Sequence, residues 1–398
     1  LLVERDKEIK AFLSDPYWTL SAALDKPGAP PVFTARLTQW KGRKVEETRA
    51  FQLFSEEYRV KASVFRTAED AQAVEQTVRS SPFTVTKVER KEVRRRPAPP
   101  FITSTMQQAA SQRLGFAAER TMRIAQSLYE GVDVGSEEPA GLITYMRTDS
   151  TAVAQVAQAE ARAFLKGEYG DSYLPETAPV YVGKVKGAQE AHEAIRPTSV
   201  QRTPSSLRKW LSPEQLKLYT IVWQRFLASQ MREAVFDTVA ADVAAGDAVF
   251  HATGRTLKFD GFLRVLQADK TEEAEAPEAA DEDEEKEGRL PDLAEGDSLK
   301  LDALAADAHS TSPPAHYNEA SLIRALERHG IGRPSTYAPT IKTIIDRGYI
   351  RRSLKDRRLT PTDLGILVVD QLKKHFSEQM SLSYTAKVEE QLDEIAEG

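Results

Sequence analysis

The sequence contains no cysteine, which excludes disulfide bonds and thiolate metal sites and fits a protein of the cytosol. It has no apolar run near the roughly 18 residues of a membrane span. Its first residues, Leu1 to Ile9, are rich in charge and unlike a secretory signal. It also lacks an ATP-binding motif. Because the chain starts without methionine, in a segment of helical character, we expect it to be a fragment of a longer protein.

Charge is unevenly distributed along the chain. The net charge of −6 taken alone argues against a nucleic-acid partner. The stretch from Thr271 to Gly288, however, holds ten acidic residues and one lysine, a net of −9, so the other residues together carry +3. This stretch has no periodic apolar residues, which predicts a disordered acidic loop. A metal site there is the less favoured interpretation, because no core would fix the ligand geometry.

Hydrophobic periodicity predicts sheet, then helices, then sheet again. From Pro16 to Val93, short alternating runs indicate an antiparallel sheet with one helix at 67–79. The next part is helical, with helices predicted at 104–114, 117–130, 152–165, around 190–195, and 212–231. Alternation returns from Ala234 to Leu266. The order predicts a multidomain α+β protein, in which a helical domain interrupts a β domain through two adjacent crossings near Pro99 and Arg232.

The region from Asn318 to Gly398 has the pattern of a DNA-binding unit. A helix from Glu319 to Arg328, a glycine turn, and a second helix through Ile345 precede a basic hairpin and a further helix, at 349–359 and 362–375. Ser335 or Thr336 is predicted to cap the second helix.

Several cations of this unit favour contact with a phosphate backbone, with little sequence selectivity; they are Arg333, Lys342, Arg347, Arg351 and Arg352. The alternative is a helical packing module with a solvated, charged hairpin.

The segment from Gly141 to Thr151 holds the pair most suited to catalysis. If it is extended from Gly141 to Arg147, the Tyr145 phenol and the Arg147 guanidinium point the same way. A phenol beside a fixed cation suits attack on a phosphodiester. Thr148, Asp149 or Ser150 is predicted to cap a helix from Ala152, whose N-terminus would favour anions. The alternative is that Tyr145, one of 12 tyrosines, is a packed residue with a satisfied hydroxyl.

Four segments in order resemble the type IA DNA topoisomerases, and the Tyr-Met-Arg form resembles bacterial topoisomerase I in particular. Tyr145 stands in the place of the family's nucleophile. The four segments are Phe101-Ile-Thr-Ser-Thr-Met-Gln-Gln-Ala-Ala-Ser, the Tyr145 segment, Ala191-His-Glu-Ala-Ile-Arg-Pro, and Gly330-Ile-Gly-Arg-Pro-Ser-Thr-Tyr-Ala with Asp346-Arg-Gly-Tyr.

The resemblance implies a toroidal architecture, in which a β-rich arch carries a helical domain with the nucleophile. The expected domains are the arch, a helical Tyr-bearing domain and a helical, winged-helix-like domain that binds DNA. Their expected ranges are 1–98 and 233–310 for the two parts of the arch, 99–232 for the Tyr-bearing domain, and 311–398 for the last domain.

The resemblance also implies residue roles. Tyr145 would attack single-stranded DNA and keep the 5′ phosphate, Arg147 would stabilise that phosphate, and His192 would face the same site. Taken alone, His192 is more often a satisfied helix residue. The residues expected to bind DNA are Arg347, Arg333, Ser335, Thr336, Asp149 and Arg196.

In this family, an acidic magnesium-binding domain precedes the matched region. Mg²⁺ is therefore expected for the full-length enzyme, with ligands outside this sequence and no metal ligand within it. The zinc ribbons common in bacterial relatives are absent too, in agreement with the lack of cysteine. We expect this chain alone to bind single-stranded DNA but to relax supercoils poorly or not at all.

The implied activity is that of an ATP-independent topoisomerase, which cleaves one strand, passes another and religates, relaxing negative supercoils. The expected partner is a single-stranded segment of supercoiled DNA, bound by a monomer in the bacterial cytoplasm, at the nucleoid and not at a membrane. Two alternatives stay open at this point. One is a non-catalytic module that binds single-stranded DNA, and the other is a structural clamp.

Overall fold

The computed structural model describes residues 1–135, 138–181, 192–267 and 288–397. None of the helices in these ranges has the length and apolar character of a membrane span. The predicted acidic loop at 271–288 lies outside the described residues, apart from Gly288.

Strands and helices alternate in blocks along the chain. The strands are β1 (Pro16–Asp25), β2 (Phe33–Trp40), β3 (Arg43–Lys44), β4 (Glu46–Gln52), β5 (Glu57–Ser63), β6 (Phe83–Arg95), β7 (Ala234–Ala245), β8 (Ala248–Phe259), β9 (Ser298–Ser310), β10 (Ile350–Arg352) and β11 (Leu359–Pro361). The helices are α1 (Leu2–Ala11), α2 (Ala68–Arg79), α3 (Thr103–Ala109), α4 (Ala118–Glu130), α5 (Gln155–Tyr169), α6 (Pro204–Leu207), α7 (Pro213–Ser229), α8 (Leu263–Gln267), α9 (Glu319–Arg328), α10 (Tyr337–Asp346), α11 (Asp363–His375) and α12 (Leu382–Glu397). Two short helical segments lie between them, a π-helix at Ala110–Leu114 and a 3₁₀-helix at Asp171–Tyr173.

The main sheet is antiparallel and closed. Its strand order is β1-β9-β6-β7-β8-β2-β3, and β1 also pairs with β2, so the strands from β1 round to β2 form a ring. Closure pairs the backbone groups that an open edge would expose. Alternate residues of these strands point inward, and Leu20, Leu24, Val243 and Phe250 are among the buried side chains of this core.

The helical segment leaves and re-enters this sheet at neighbouring points. The last residue of β6, Arg95, is paired with the first residue of β7, Ala234. The prediction of two adjacent crossings is therefore confirmed.

The inserted helices build a second core. Ser212 caps α7 through a capping box with Gln215, and Leu218 and Phe226 of α7 are fully buried. Where strand was expected up to Leu266, the chain instead forms α8, because Phe262 and Leu263 are buried in this helical core. The prediction of a helix around 190–195 is wrong for residues 192–195, which the structure describes. His192 to Ala194 are irregular, and Ile195 bridges to Phe101.

The C-terminal region forms the predicted helix, turn, helix and hairpin. Asn318 caps α9 through a capping box, and the turn that follows has positive φ at Gly330 and Gly332. The hairpin pairs β10 with β11, and Thr362 caps α11. From the other end of the chain, α1 packs here, where Arg5 donates to Ala315 O and to the Tyr317 hydroxyl.

The mixed α+β fold class predicted from the sequence is therefore confirmed.

Candidate active site and DNA interface

The segment that carries Tyr145 is not the extended strand that we predicted. Only Ile143 makes a bridge, to Pro197, and the chain bends at Thr144, Met146 and Arg147. Its backbone groups are bound by loops and side chains rather than by a neighbouring strand. The alternation of side chains is kept in part, since Met146 is buried, Tyr145 is half-buried and Arg147 is exposed.

The backbone before Tyr145 is fixed by Thr144. The Thr144 amide donates to Arg196 O at 2.9 Å, and its hydroxyl donates to Ala194 O at 2.6 Å. The Arg196 amide donates in return to Thr144 Oγ1 at 3.0 Å. These bonds hold the Tyr145 segment against the His192 segment.

The backbone after Tyr145 is fixed by a buried threonine of α3. Thr103 Oγ1 donates to Met146 O at 2.7 Å and to Thr148 O at 3.0 Å, and it accepts from the Thr148 amide at 2.9 Å. Thr103 has no exposed surface and Thr148 has 3%. The nucleophile candidate therefore lies on a backbone that is held on both sides.

The predicted helix cap after Tyr145 is wrong. Helix α5 begins at Gln155, and its N-cap, Ala154, has no side-chain cap bond. The hydroxyls of Thr148 and Ser150 instead accept from amides two residues on, those of Ser150 and Ala152, which forms successive local turns. The Ala154 amide at the start of α5 donates to Glu193. The helix N-terminus is thus capped by a carboxylate and is not next to Tyr145 in the chain.

Two rings contact the Tyr145 ring. Tyr129 lies edge-on with a centroid distance of 5.4 Å, and His192 lies tilted at 5.2 Å. Among the residues that the structure describes, none hydrogen-bonds the Tyr145 hydroxyl. The ring of Tyr145 is therefore packed against the helical core, as in the alternative interpretation, but its hydroxyl is not satisfied by a described residue.

A pocket of about 410 Å³ opens at Tyr145 and Arg147. Its other lining residues come from α4 and are Met122, Arg123 and Gln126. The sequence reasoning missed these three. The available signal was the polar face of an amphipathic helix, but nothing in the sequence says what that face meets.

The His192 segment contains an ion pair that restrains Arg196. Arg196 Nε donates to Glu193 Oε2 at 2.8 Å, and only 12% of the Arg196 side chain is exposed. Partial burial raises the pKa of Glu193, but hydrogen bonds from Arg196 and from the Ala154 amide outweigh it and hold that pKa below its usual value. An Arg196 contact with DNA would require this pair to open.

The predicted DNA-binding residues Asp149 and Arg333 meet at a second pocket of about 630 Å³, between the helical insert and the C-terminal helices. Arg333 is paired there, with Asp393 at 2.5 Å and Glu389 at 3.7 Å. Arg347 and Ser335 are exposed and line neither pocket.

Thr336 precedes α10 as predicted, but its side chain does not cap the helix. Its hydroxyl accepts instead from the Arg333 amide at 2.8 Å. The alternative cap, Ser335, likewise makes no cap bond to α10 in the described structure.

Several cations of the C-terminal unit are already neutralised by acidic residues. Lys342 pairs with Glu119 and Asp346, and Arg352 pairs with Glu319 at 2.6 Å. Among the described residues, Arg347 and Arg351 make no ion pair. The basic surface available to phosphates is therefore smaller than the sequence suggests.

Polar contacts join the helical insert to the C-terminal unit. Glu319, which is 5% exposed, accepts from the Ala118 amide at the start of α4 at 2.6 Å. Ser104 donates to Glu327 at 2.7 Å. Other contacts across this boundary are Arg324 with Gln108, Arg357 with Ser111 O, and Lys342 with Glu119. The interface combines these polar contacts with apolar packing, since Ala118 and Met122 of α4 belong to the hydrophobic cluster of the C-terminal unit.

Metal-ligating side chains are not grouped in the described part of the chain. No three His, Cys, Asp or Glu residues there lie close enough together to hold an ion. The described residues therefore do not fit a magnesium site.

The chain is similar to known proteins over its whole length. Residues 1–398 match the family model described as DNA topoisomerase. DNA topoisomerase 1 of Xylella fastidiosa is 42% identical over 399 residues, which are 100% of this chain and 46% of that protein. DNA topoisomerase 1 of Rickettsia felis is 41% identical over 400 residues, which are 100% of this chain and 48% of that protein. The chain thus spans about half the length of the curated relatives it matches.

A solved structure agrees with these matches. Full-length topoisomerase I from Thermotoga maritima superposes with a TM-score of 0.79 at 34% identity, covering 100% of this chain and 58% of that one. The expected type IA architecture is therefore confirmed at the level of fold. On the family match, the relatives and the shared fold, this chain belongs to the type IA DNA topoisomerases and is similar to bacterial DNA topoisomerase I.

Proposed function

We propose that this chain is the core of an enzyme that cleaves one DNA strand through a 5′-phosphotyrosyl intermediate at Tyr145. Passage of another strand and religation would relax negative supercoils. The single observation that carries the proposal is the pocket at Tyr145. There a phenol without a hydrogen-bond partner among the described residues and the Arg147 guanidinium line one open space, on a backbone held from both sides.

The chemistry is an exchange of one phosphate ester for another. Tyr145 Oη loses its proton and attacks phosphorus, the bond from phosphorus to the 3′ oxygen breaks, and the 3′ oxygen takes up a proton. Arg147 donates to the non-bridging oxygens, where negative charge accumulates. His192 packs on the Tyr145 ring, where an imidazole suits the proton movements at this site. Religation is the same exchange reversed.

No ATP is needed in this scheme. The phosphotyrosyl ester keeps the energy of the broken phosphodiester, and negative supercoiling supplies the free energy of strand passage. The resemblance implies that the Tyr-bearing domain lifts away during passage. The hydrogen bonds of Glu319 and Ser104 across this boundary support such a movement, because polar contacts can break and be replaced by bonds to water. The adjacent crossings at Arg95 and Ala234 would serve as the hinge.

Other parts of the proposal rest on the family resemblance. A complete enzyme would use Mg²⁺ held by residues outside this sequence, and this chain alone would bind single-stranded DNA without relaxing supercoils. It would act as a monomer on DNA in the bacterial cytoplasm, at the nucleoid. Arg347, Arg333, Ser335, Thr336, Asp149 and Arg196 stay proposed DNA contacts, with the pairs of Arg333 and Arg196 as the restraints that binding would have to release.

The test is to trap covalent adducts. A complete enzyme that contains this chain is incubated with single-stranded DNA and Mg²⁺ and then denatured. We expect adducts with the parent, none with Tyr145→Phe, and adducts close to the parental level with Tyr129→Phe, which removes the neighbouring hydroxyl and keeps its ring. Absence of adducts in the parent, or their survival in Tyr145→Phe, would contradict the proposal.

A second candidate is a non-catalytic module that binds single-stranded DNA. It is favoured by the observed α9, α10 and hairpin unit, on which Arg347 and Arg351 make no ion pair with another described residue. This module would bind DNA with equal affinity in the parent and in Tyr145→Phe and would form no adduct in either.

A further inference from the structure

Helix α4 brings a second guanidinium to the pocket at Tyr145. Arg123 lines this pocket together with Arg147, Tyr145 and two neutral residues of the helix. Arg123 is exposed, while Thr121, Ile124, Ala125 and Leu128 on the other face of α4 are buried. Packing of that apolar face therefore determines the direction in which Arg123 points.

The helix is also joined directly to the segment that bears the phenol. The Leu142 amide donates to Leu128 O at 2.7 Å, and the Tyr129 ring contacts the Tyr145 ring. Gly141 lies so close that an added Cβ would be 2.6 Å from Tyr129 O. The helix that carries Arg123 is thus in direct contact with the segment that carries Tyr145.

The two guanidinium groups of this pocket are not neutralised by the described protein. Neither Arg123 nor Arg147 has an ion-pair or hydrogen-bond partner among the described residues. Nearby acids are engaged elsewhere, since Glu130 accepts from Gln126 and Glu119 pairs with Lys342. By contrast Arg120, one turn before Arg123, pairs with Glu214 and stacks on Phe116. Two unpaired cations at one pocket favour an anionic ligand.

The pocket has room for more than one phosphate group. A volume of about 410 Å³ lies in the range of pockets that hold small-molecule ligands, which is far more than one phosphate fills. Arg147 lies two residues after Tyr145 in the chain, whereas Arg123 lies on α4. Two cations from separate elements can each face a different phosphate of one strand.

We propose that Arg123 binds the backbone phosphate next to the one that Tyr145 attacks, and so positions the DNA strand in the pocket. This inference rests on the proposed function for the identity of the anion. Arg123 is a positioning residue in this scheme, because it contacts the strand and not the reacting atoms. Its contact would be made with any base sequence, since phosphates carry no sequence information.

The test is the salt dependence of single-stranded DNA binding by the 398-residue chain, measured with a labelled oligonucleotide between 50 and 200 mM salt, conditions at which phosphate contacts dominate. Arg123→Ala should bind roughly ten-fold more weakly at low salt, as expected for loss of one charge-assisted hydrogen bond. The slope of log affinity against log salt should become shallower by about 0.7, the value for one contact to a single strand. Arg123→Lys should keep the slope.

Arg120→Ala is the matched control on the same helix. It removes the same side chain from a position that is paired with Glu214, so we expect the parental slope. Thermal unfolding of each variant verifies that the fold is retained. A parental affinity and slope in Arg123→Ala would overturn the inference, whether or not adducts form. Absence of Tyr145-dependent adducts would instead defeat the proposed function, so the two failures are distinguishable.

Discussion

Replacement of Thr103 by valine should release the backbone that carries Tyr145. Valine has nearly the same shape, so packing is kept while the hydroxyl is lost. Thr103 has no exposed surface, and its hydroxyl binds Met146 O, Thr148 O and the Thr148 amide. The Thr103 amide still donates to Thr148 O in the variant. Two buried groups, the Thr148 amide and Met146 O, therefore lose their partner.

The size of the effect follows from the number of buried polar groups that lose their hydrogen-bond partner. Each buried polar group without a partner costs about 1–3 kcal/mol. In the variant, local opening exposes the Thr148 amide to water and so removes this cost. The free energy of local opening therefore falls by a similar amount. Its exchange with solvent then accelerates roughly 5- to 150-fold. Adduct formation at Tyr145 should slow as well, because the phenol is held less firmly.

Hydrogen exchange followed by mass spectrometry measures this directly, in a peptide that covers residues 144–151. Local exchange is preferable to a global unfolding curve, because a chain of several domains need not unfold in one step. The control is Thr77→Val on α2, which removes an exposed hydroxyl bound to Ala73 O and should leave that peptide unchanged. Parental protection of residues 146–148 in Thr103→Val would refute the reasoning.

Two further predictions concern the same site. Gly141→Ala should lower the midpoint of thermal unfolding and the rate of adduct formation, because its Cβ would lie 2.6 Å from Tyr129 O. The control Gly167→Ala, in α5 with nothing within 4 Å of its added Cβ, should be neutral or stabilising by roughly 0.5–1 kcal/mol. Equal effects of Gly141→Ala and Gly167→Ala would contradict this prediction. Glu193 has a pKa below its usual 4.5, because hydrogen bonds from Arg196 and the Ala154 amide outweigh the effect of burial. Its contribution to stability is therefore complete above about pH 4.5 and lost as the pH falls through the lower folded-state pKa. Acid unfolding followed by circular dichroism should show a weaker pH dependence in Glu193→Gln, and an unchanged dependence would argue against the pair.

Local chemistry made many elements predictable from the sequence. Thr67 and Ser212 head helices through capping boxes whose partners lie three residues on, so the signal is contained within a few residues. The same holds for Asn318 at the start of α9 and for the glycines of the turn that follows it. The four motifs that resemble the family were likewise short and continuous.

The conformation around Tyr145 could not be predicted in this way. Its backbone is fixed by Thr103 and by residues near Arg196, which lie far away in the chain. Helix α5 begins at Gln155 and not at the predicted Ala152 for a similar reason. The carboxylate that binds the start of this helix comes from Glu193 and not from the residues before the helix. Contacts over such distances in sequence leave no local pattern.

The sequence also could not predict which charged side chains are paired with one another. Arg333 and Arg352 belong to a cluster that is basic in the sequence, yet each is paired with an acidic residue of a helix elsewhere in the chain. In the sequence, Arg123 is one cation among several on an amphipathic helix, and the fold brings it to the pocket at Tyr145. Which cations remain for DNA is decided by tertiary packing.

The most direct measurement is to identify the bond between protein and DNA. Adducts from a complete enzyme that contains this chain would be digested with protease and nuclease and sequenced by mass spectrometry. We predict a single modified peptide that includes Tyr145, with a nucleotide attached through its 5′ phosphate to the phenolic oxygen. A linkage at another residue, or one through a 3′ phosphate, would contradict the proposed chemistry.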